Sequence, residues 1–155
     1  MTTAQKKGTT IIMTTPEKSP ALVEYSGAAL AYLGDAVMEV LVRQMLVRRG
    51  IGNAGKLSAL SLDYVRATNQ SRGLEGLLPH LTEEENAVYH RGRNAAGAHP
   101  KSASVNDYRR ATGLEALFGY LHLKGDTARL EALFDLFVRS LEEGSEENTH
   151  ADEKK

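Results

Sequence analysis

The sequence predicts an all-α fold, and three observations carry the prediction. Apolar residues recur at helical spacing, alternating strand patterns are almost absent, and the gaps between apolar runs hold helix stops and caps. A first helix is expected over Ala28 to Arg49, stopped by Gly50, with Arg48 and Arg49 suited to the negative end of its dipole. A loop over Ile51 to Asn53 leads into a second helical stretch over about Ala54 to Leu78, with Thr68 and Asn69 as a candidate break and Pro79 as its end. Thr82 followed by Glu83, Glu84 and Glu85 is a capping-box signature, so a short helix is expected from there toward Asn94. The loop Ala95 to Ser104, with Gly97 and Pro100, precedes a helix over about Val105 to Leu123. Gly125 and Asp126 separate it from a last helix over Thr127 to Glu142, whose Leu130, Leu133, Phe134, Phe137 and Leu141 share a core-facing side.

The 155 residues, 41% hydrophobic and 25% charged, fit one ordinary domain with one core. Residues 1–20 are rich in Thr, Lys and Pro without periodicity, and residues 143–155 are acidic and polar. Both read as flexible tails around a domain at 21–142. Met13, followed by Thr14, Thr15 and Pro16, is a plausible alternative start. The apolar cluster Ile11, Ile12 and Met13 is too short for a signal sequence, and nothing directs the chain to a membrane. Cysteine is absent, which excludes disulfides, thiolate metal sites and cysteine nucleophiles and fits a cytoplasmic location. The net charge of -1 gives no general affinity for polyanions, so any nucleic-acid partner needs a local basic patch.

Two carboxylates stand out. Asp35 is the one acid in the apolar run from Ala28 to Met38, a pattern that marks a buried central helix. A buried carboxylate must be neutral, paired or bound to a metal. Asp35 taken alone is better read as an acid answering a distant arginine, or as a helix cap beside Gly34. The same anomaly recurs at Glu115, the one charge between Ala111 and Tyr120. Gly34 beside Asp35, and Gly119 one turn after Glu115, would let two helices approach closely and bring the acids together. Two acids without cysteine or a histidine cluster suit a hard cation, Mg²⁺ or its substitute Mn²⁺.

Other motifs carry less. Glu39 lies one turn after Asp35 but also one turn before Arg43, and an ordinary helical ion pair is the preferred reading. His80, His90, His99, His122 and His150 show no ligand spacing and read as surface or loop residues. The string Gly50 to Gly55 matches a dinucleotide-binding pattern, yet it follows a helix rather than a strand and reads as a helix stop and loop. Ser102, Ser104 and Thr112 lack a base with an orienting acid, which removes support for nucleophilic catalysis.

Between Asn86 and Gly113, five cations (Arg91, Arg93, Lys101, Arg109 and Arg110) stand against Asp107 alone, in a chain whose remainder is acidic. Arg91 to Gly97 reads as a flexible loop with donors for phosphate or 2′-hydroxyl groups, and Lys56, Arg66 and Arg72 would widen that surface. A solvated charged loop is the plainer alternative. No aromatic residues interleave with these cations, which favours gripping a duplex backbone over stacking on single-stranded bases.

The segments Ala-Leu-Ala-Tyr-Leu-Gly-Asp-Ala-Val ending at Val37, Arg-Gly-Arg-Asn-Ala ending at Ala95, and Tyr-Arg-Arg-Ala-Thr-Gly-Leu-Glu-Ala-Leu-Phe-Gly-Tyr ending at Tyr120 occur in that order. Together they resemble the catalytic domain of the ribonuclease III family over about Gly27 to Leu123, and most closely its Mini-III branch. The resemblance implies a metal-dependent endoribonuclease acting on double-stranded RNA. Asp35 and Glu115 would serve as catalytic and Mg²⁺-holding residues, and Arg91, Arg93, Asn94, Lys101 and Arg109 would contact RNA. It also implies a two-fold homodimer that cuts both strands and leaves 5′ phosphates and a short 3′ overhang. Its physiological role would be maturation of the large-subunit (23S) ribosomal RNA precursor, assisted by a ribosomal protein. No double-stranded-RNA-binding domain fits after residue 142, another feature of that branch. Larger family members carry two more acids, at the positions of Ala31 and Thr112 here. The rival readings are an RNA-binding or ribosome-assembly protein that keeps the fold without useful catalysis, and a helical interaction protein without RNA.

Overall fold

The computed structural model describes residues 25–101 and 103–152, so both proposed N-terminal features, the tail over 1–20 and the start at Met13, lie outside the described residues. Among these residues six helices follow one another: α1 (Gly27–Arg48), α2 (Ala54–Val65), α3 (Ala67–Leu74), α4 (Glu83–Ala95), α5 (Val105–Lys124) and α6 (Thr127–Asp152). Among the described residues a 3₁₀ turn at Leu78–His80 contains Pro79, and no strand occurs.

α5 is the axis of the molecule. α1, α4 and α3 all pack on it, and α6 closes over α3 and α5. Its buried set runs from Ala111 through Leu114, Ala116, Leu117 and Phe118 to Leu121, nearly continuous around the helix, as a central helix requires. The core joins these to Leu30, Met38, Val42 and Leu46 of α1 and to Leu130, Leu133, Phe134, Phe137 and Leu141 of α6. The α6 face read from spacing is therefore the one that docks.

Caps explain the boundaries. The Ser26 hydroxyl accepts from the Ala29 amide at 3.0 Å and starts α1, and Asn53 Oδ1 accepts from the Lys56 amide at 2.9 Å and starts α2. The glycine-rich string at 50–55 is thus a helix stop and a cap, with Gly50 at φ 86°. The capping box is complete: Thr82 Oγ1 accepts from the Glu85 amide at 3.1 Å, and Glu85 Oε1 accepts from the Thr82 amide at 2.9 Å. Glu85 is also buried against Arg129 of α6 at 2.8 Å, so one carboxylate caps α4 and ties it to α6.

Three expectations are corrected. The stretch from Ala54 to Leu78 does break, but at Arg66 rather than at Thr68 and Asn69, with the Arg66 backbone extended at φ -63° and ψ 140°. That break turns the chain so that Gln70, Ser71, Gly73 and Leu74 of α3 become buried, a tertiary demand without a local glycine or proline to announce it. Arg91 to Asn94 belong to the last turns of α4, as the helix expected toward Asn94 requires and the reading of Arg91 to Gly97 as a flexible loop does not; the loop begins only after Ala95. α6 continues past Glu142 to Asp152, so the acidic segment is helical through that point instead of forming a tail from residue 143.

Candidate active site

Asp35 and Glu115 meet because α1 and α5 cross backbone to backbone. A Cβ placed on Gly34 would collide with the Glu115 carbonyl, and one on Gly119 would collide with the Leu30 carbonyl. Hydrogen is the one substituent that fits at either position, so these two glycines fix the crossing. Both acids then line one cavity of about 390 Å³. Ala28, Ala31 and Tyr32 of α1 and Tyr108 and Thr112 of α5 complete two walls, and the end of α4 with Ala95, Ala96 and Gly97 forms the third.

The two carboxylates are not equivalent. Glu115 is partly buried, and its pKa is pushed up to about 8 by burial and then by the negative charge of Asp35. Asp35 is exposed at the cavity rim, which corrects the reading of it as a buried acid. The buried stripe of α1 runs through Leu30, Ala31, Gly34, Val37 and Met38, and Asp35 lies just off it. Its carboxyl is also raised, first by partial desolvation and then by Glu39. Glu39 itself pairs with Arg43 at 3.2 Å, as its spacing indicates.

The donor set suits a hard divalent cation. Two carboxylates of raised pKa have a charge conflict that a cation relieves, and α4 ends against the cavity, where the negative end of its dipole adds to the attraction. Among the described residues no cluster of three or more His, Cys, Asp or Glu side chains occurs, so protein ligands beyond this pair are few. An ion such as Mg²⁺, which keeps several waters and takes one or two carboxylates, matches such a site. A separate groove of about 420 Å³ between α1 and α2 has largely apolar walls, and its one acid, Glu39, is already paired. His80, His90, His99 and His122 are exposed, and none lines the acid cavity.

The basic segment divides on folding. Arg91 is half-buried and donates to the Tyr25 carbonyl, holding the entry to α1. Arg93 reaches Asn106 Oδ1 at 3.4 Å, bracing α4 against the start of α5. Arg110 is bound to Glu75 and donates to the Ser71 carbonyl at 3.2 Å. Asn94, Lys101 and Arg109 are exposed. None of these residues lines the cavity, so any contact with RNA lies around it. The sequence reading missed Tyr32 and Tyr108, which do line it. The available signal was register: Tyr108, Thr112 and Glu115 are spaced i, i+4 and i+7 on α5.

An all-helical domain whose two central helices cross on glycines and present an acid pair to one cavity has the form of a ribonuclease III nuclease domain, and the family model described as Ribonuclease III domain matches residues 28–126. A Mini-ribonuclease 3 of Desulfitobacterium hafniense is 46% identical over 84% of this chain and 85% of its own length. Those of Symbiobacterium thermophilum (46% over 74% and 89%) and Enterococcus faecalis (40% over 79% and 96%) are similarly close. The crystal structure of a Fusobacterium nucleatum protein superposes with a TM-score of 0.68 at 29% identity, covering 75% of this chain and 93% of that one. The chain belongs to the Mini-ribonuclease 3 branch of the ribonuclease III family, and its class of activity is that of a ribonuclease. No described helix is long and apolar enough to cross a membrane.

Proposed function

We propose that this protein is a Mg²⁺-dependent endoribonuclease of double-stranded RNA, with Asp35 and Glu115 at its catalytic centre and Mn²⁺ as a working substitute. The observation that carries the reading is the convergence of the two acids at the Gly34–Gly119 crossing, with Glu115 raised to about 8. When bound, the cation supplies an activated water for in-line attack on a phosphodiester and neutralises charge on the departing 3′ oxygen. Asp35 and Glu115 would offer the anionic oxygens that hold it, Glu115 in its ionised form after losing its proton to solvent. Asn94, Lys101 and Arg109 supply exposed donors and charge for the duplex backbone around the cavity, while Arg91 and Arg93 act by holding α4 in place.

A homodimer is part of the proposal. α1 exposes Tyr32 (87%), Val40 (54%) and Val47 (60%) along one side together with Ala29 and Ala36, a mostly apolar stripe, interrupted by the exposed Arg43, of the kind that an isologous interface covers. A two-fold pair would present two acid cavities to the two strands of a duplex. The physiological substrate in this reading is the precursor of 23S ribosomal RNA in the cytoplasm, with a large-subunit ribosomal protein assisting.

The deciding experiment compares wild type with Asp35→Asn and Glu115→Gln on a duplex RNA in Mg²⁺. Each variant is expected to bind duplex and sediment as wild type does while its cleavage falls by about 10³-fold. Cleavage equal to wild type would remove the catalytic assignment. The outcome also decides the second reading, a binding or ribosome-assembly protein with little catalysis, which Ala31 and Thr112 favour because they stand in the cavity where larger relatives would have acids.

A further inference from the structure

The cavity is rich in acceptors and poor in donors. Its charged walls are Asp35 and Glu115, which when ionised only accept hydrogen bonds, and its remaining small residues are alanines and a glycine. No arginine or lysine lines it. The Thr112 hydroxyl is already committed, donating to the Tyr108 carbonyl at 2.8 Å. A phosphodiester entering this space therefore finds two side-chain donors left, the hydroxyls of Tyr32 and Tyr108. Tyr32 is 87% exposed and is held by little. Tyr108 is half-buried on α5, two turns before Glu115 on the same face, and its hydroxyl has no hydrogen-bond partner among the described residues.

Resting on the nuclease reading above, we propose that the Tyr108 hydroxyl is a substrate-positioning donor, hydrogen-bonded to a non-bridging oxygen of the phosphodiester that lies over Asp35 and Glu115. The residue type fits the place. A guanidinium or ammonium here would pair with the two acids and compete for them, whereas a phenol brings no positive charge and donates without neutralising the metal-holding charge. Its anchorage on α5, the helix that also carries Glu115, means that the donor and the acid keep their spacing as substrate enters. Negative charge on the non-bridging oxygens is more strongly engaged as the phosphate reacts, so the bond serves turnover more than initial binding.

The test uses the full chain and a short duplex RNA carrying, at the cleaved linkage, either an ordinary phosphate or one stereoisomer of a phosphorothioate. Tyr108→Phe removes only the hydroxyl. The expected result is a kcat lowered about tenfold with KM changed by less than about twofold, and with thermal midpoint and sedimentation as in wild type. Sulfur is a poor acceptor, so for one stereoisomer the penalty seen with wild type should shrink in Tyr108→Phe. A kcat within about twofold of wild type, or sulfur penalties identical in both proteins for both isomers, would overturn the proposal while leaving the nuclease reading intact. Wild-type cleavage no faster than Asp35→Asn would remove both.

Discussion

The α1–α5 crossing and the basic segment from Arg91 to Arg110 were both conspicuous as sequence, yet they behave differently in three dimensions. At the crossing, contact is between backbones, and the positions of Asp35 and Glu115 follow from where Gly34 and Gly119 allow two helices to touch. In the basic segment the side chains are long, and folding uses several of them internally: Arg91 on the Tyr25 carbonyl, Arg93 on Asn106, Arg110 on Glu75. Steric constraints near the backbone leave one solution, whereas a flexible cation takes whichever acceptor the fold supplies. Counting charges along the chain therefore overestimates the surface available to RNA, while counting small residues locates the acid pair.

The largest effect is expected from breaking the crossing. Gly34→Val places a branched side chain where the Glu115 carbonyl already lies, so the helices must separate. Overpacking of this kind costs about 3 kcal/mol or more. Urea melts should show that loss together with lost cleavage, and a Gly34→Val protein of wild-type stability would show that the crossing is not what fixes the site.

A smaller effect concerns the proton on Glu115. Its native pKa of about 8 lies above the ordinary 4.5, so between those values the folded metal-free chain holds a proton that the unfolded chain has released. Stability then falls as pH rises through that interval, the reverse of the usual behaviour for a salt-bridged acid. Glu115→Gln should flatten this slope and raise metal-free stability at the upper end by about 1 kcal/mol once solvent screening is allowed for, or roughly 3 °C. Thermal melts in chelator across the interval read both. Excess Mg²⁺ should reduce the difference in wild type, since it stabilises the ionised form.

The helix order, the Thr82 capping box and the acid pair were legible because each depends on chemistry within a few residues: Thr82 with Glu85, and glycines beside or one turn from the acids. The exposure of Asp35 was not. An apolar run predicts burial, but in α1 it covers both the core stripe and the outward side bearing Tyr32, Val40 and Val47, and one chain buries only the first. The break was legible only to within about two residues, expected at Thr68 and Asn69 and found at Arg66, because its place serves the docking of α3. The extension of α6 past Glu142 was hidden by composition: polar, acidic residues read as a tail, yet a helix already anchored by Phe137 and Leu141 propagates one backbone hydrogen bond at a time.

The finest test separates two adjacent cations. Arg109 is exposed on α5 and has no ion pair among the described residues, while Arg110 holds α5 to α3 through Glu75 and the Ser71 carbonyl. If the division is right, Arg109→Ala leaves stability within about 0.5 kcal/mol and reduces the slope of log affinity against log salt for duplex RNA by about 0.9, one phosphate contact on the duplex scale. Arg110→Ala should do the reverse, lowering stability by about 1 kcal/mol, since an Arg–Glu pair this exposed on its acid side is modest, and leaving the salt slope in place. Lys101→Ala should follow Arg109. Filter-binding titrations at several salt concentrations, paired with urea melts, read both quantities on the same preparations. Equal salt slopes for the Arg109 and Arg110 variants would mean that the internal bonds of Arg110 yield to RNA, and that the basic segment acts as a single surface after all.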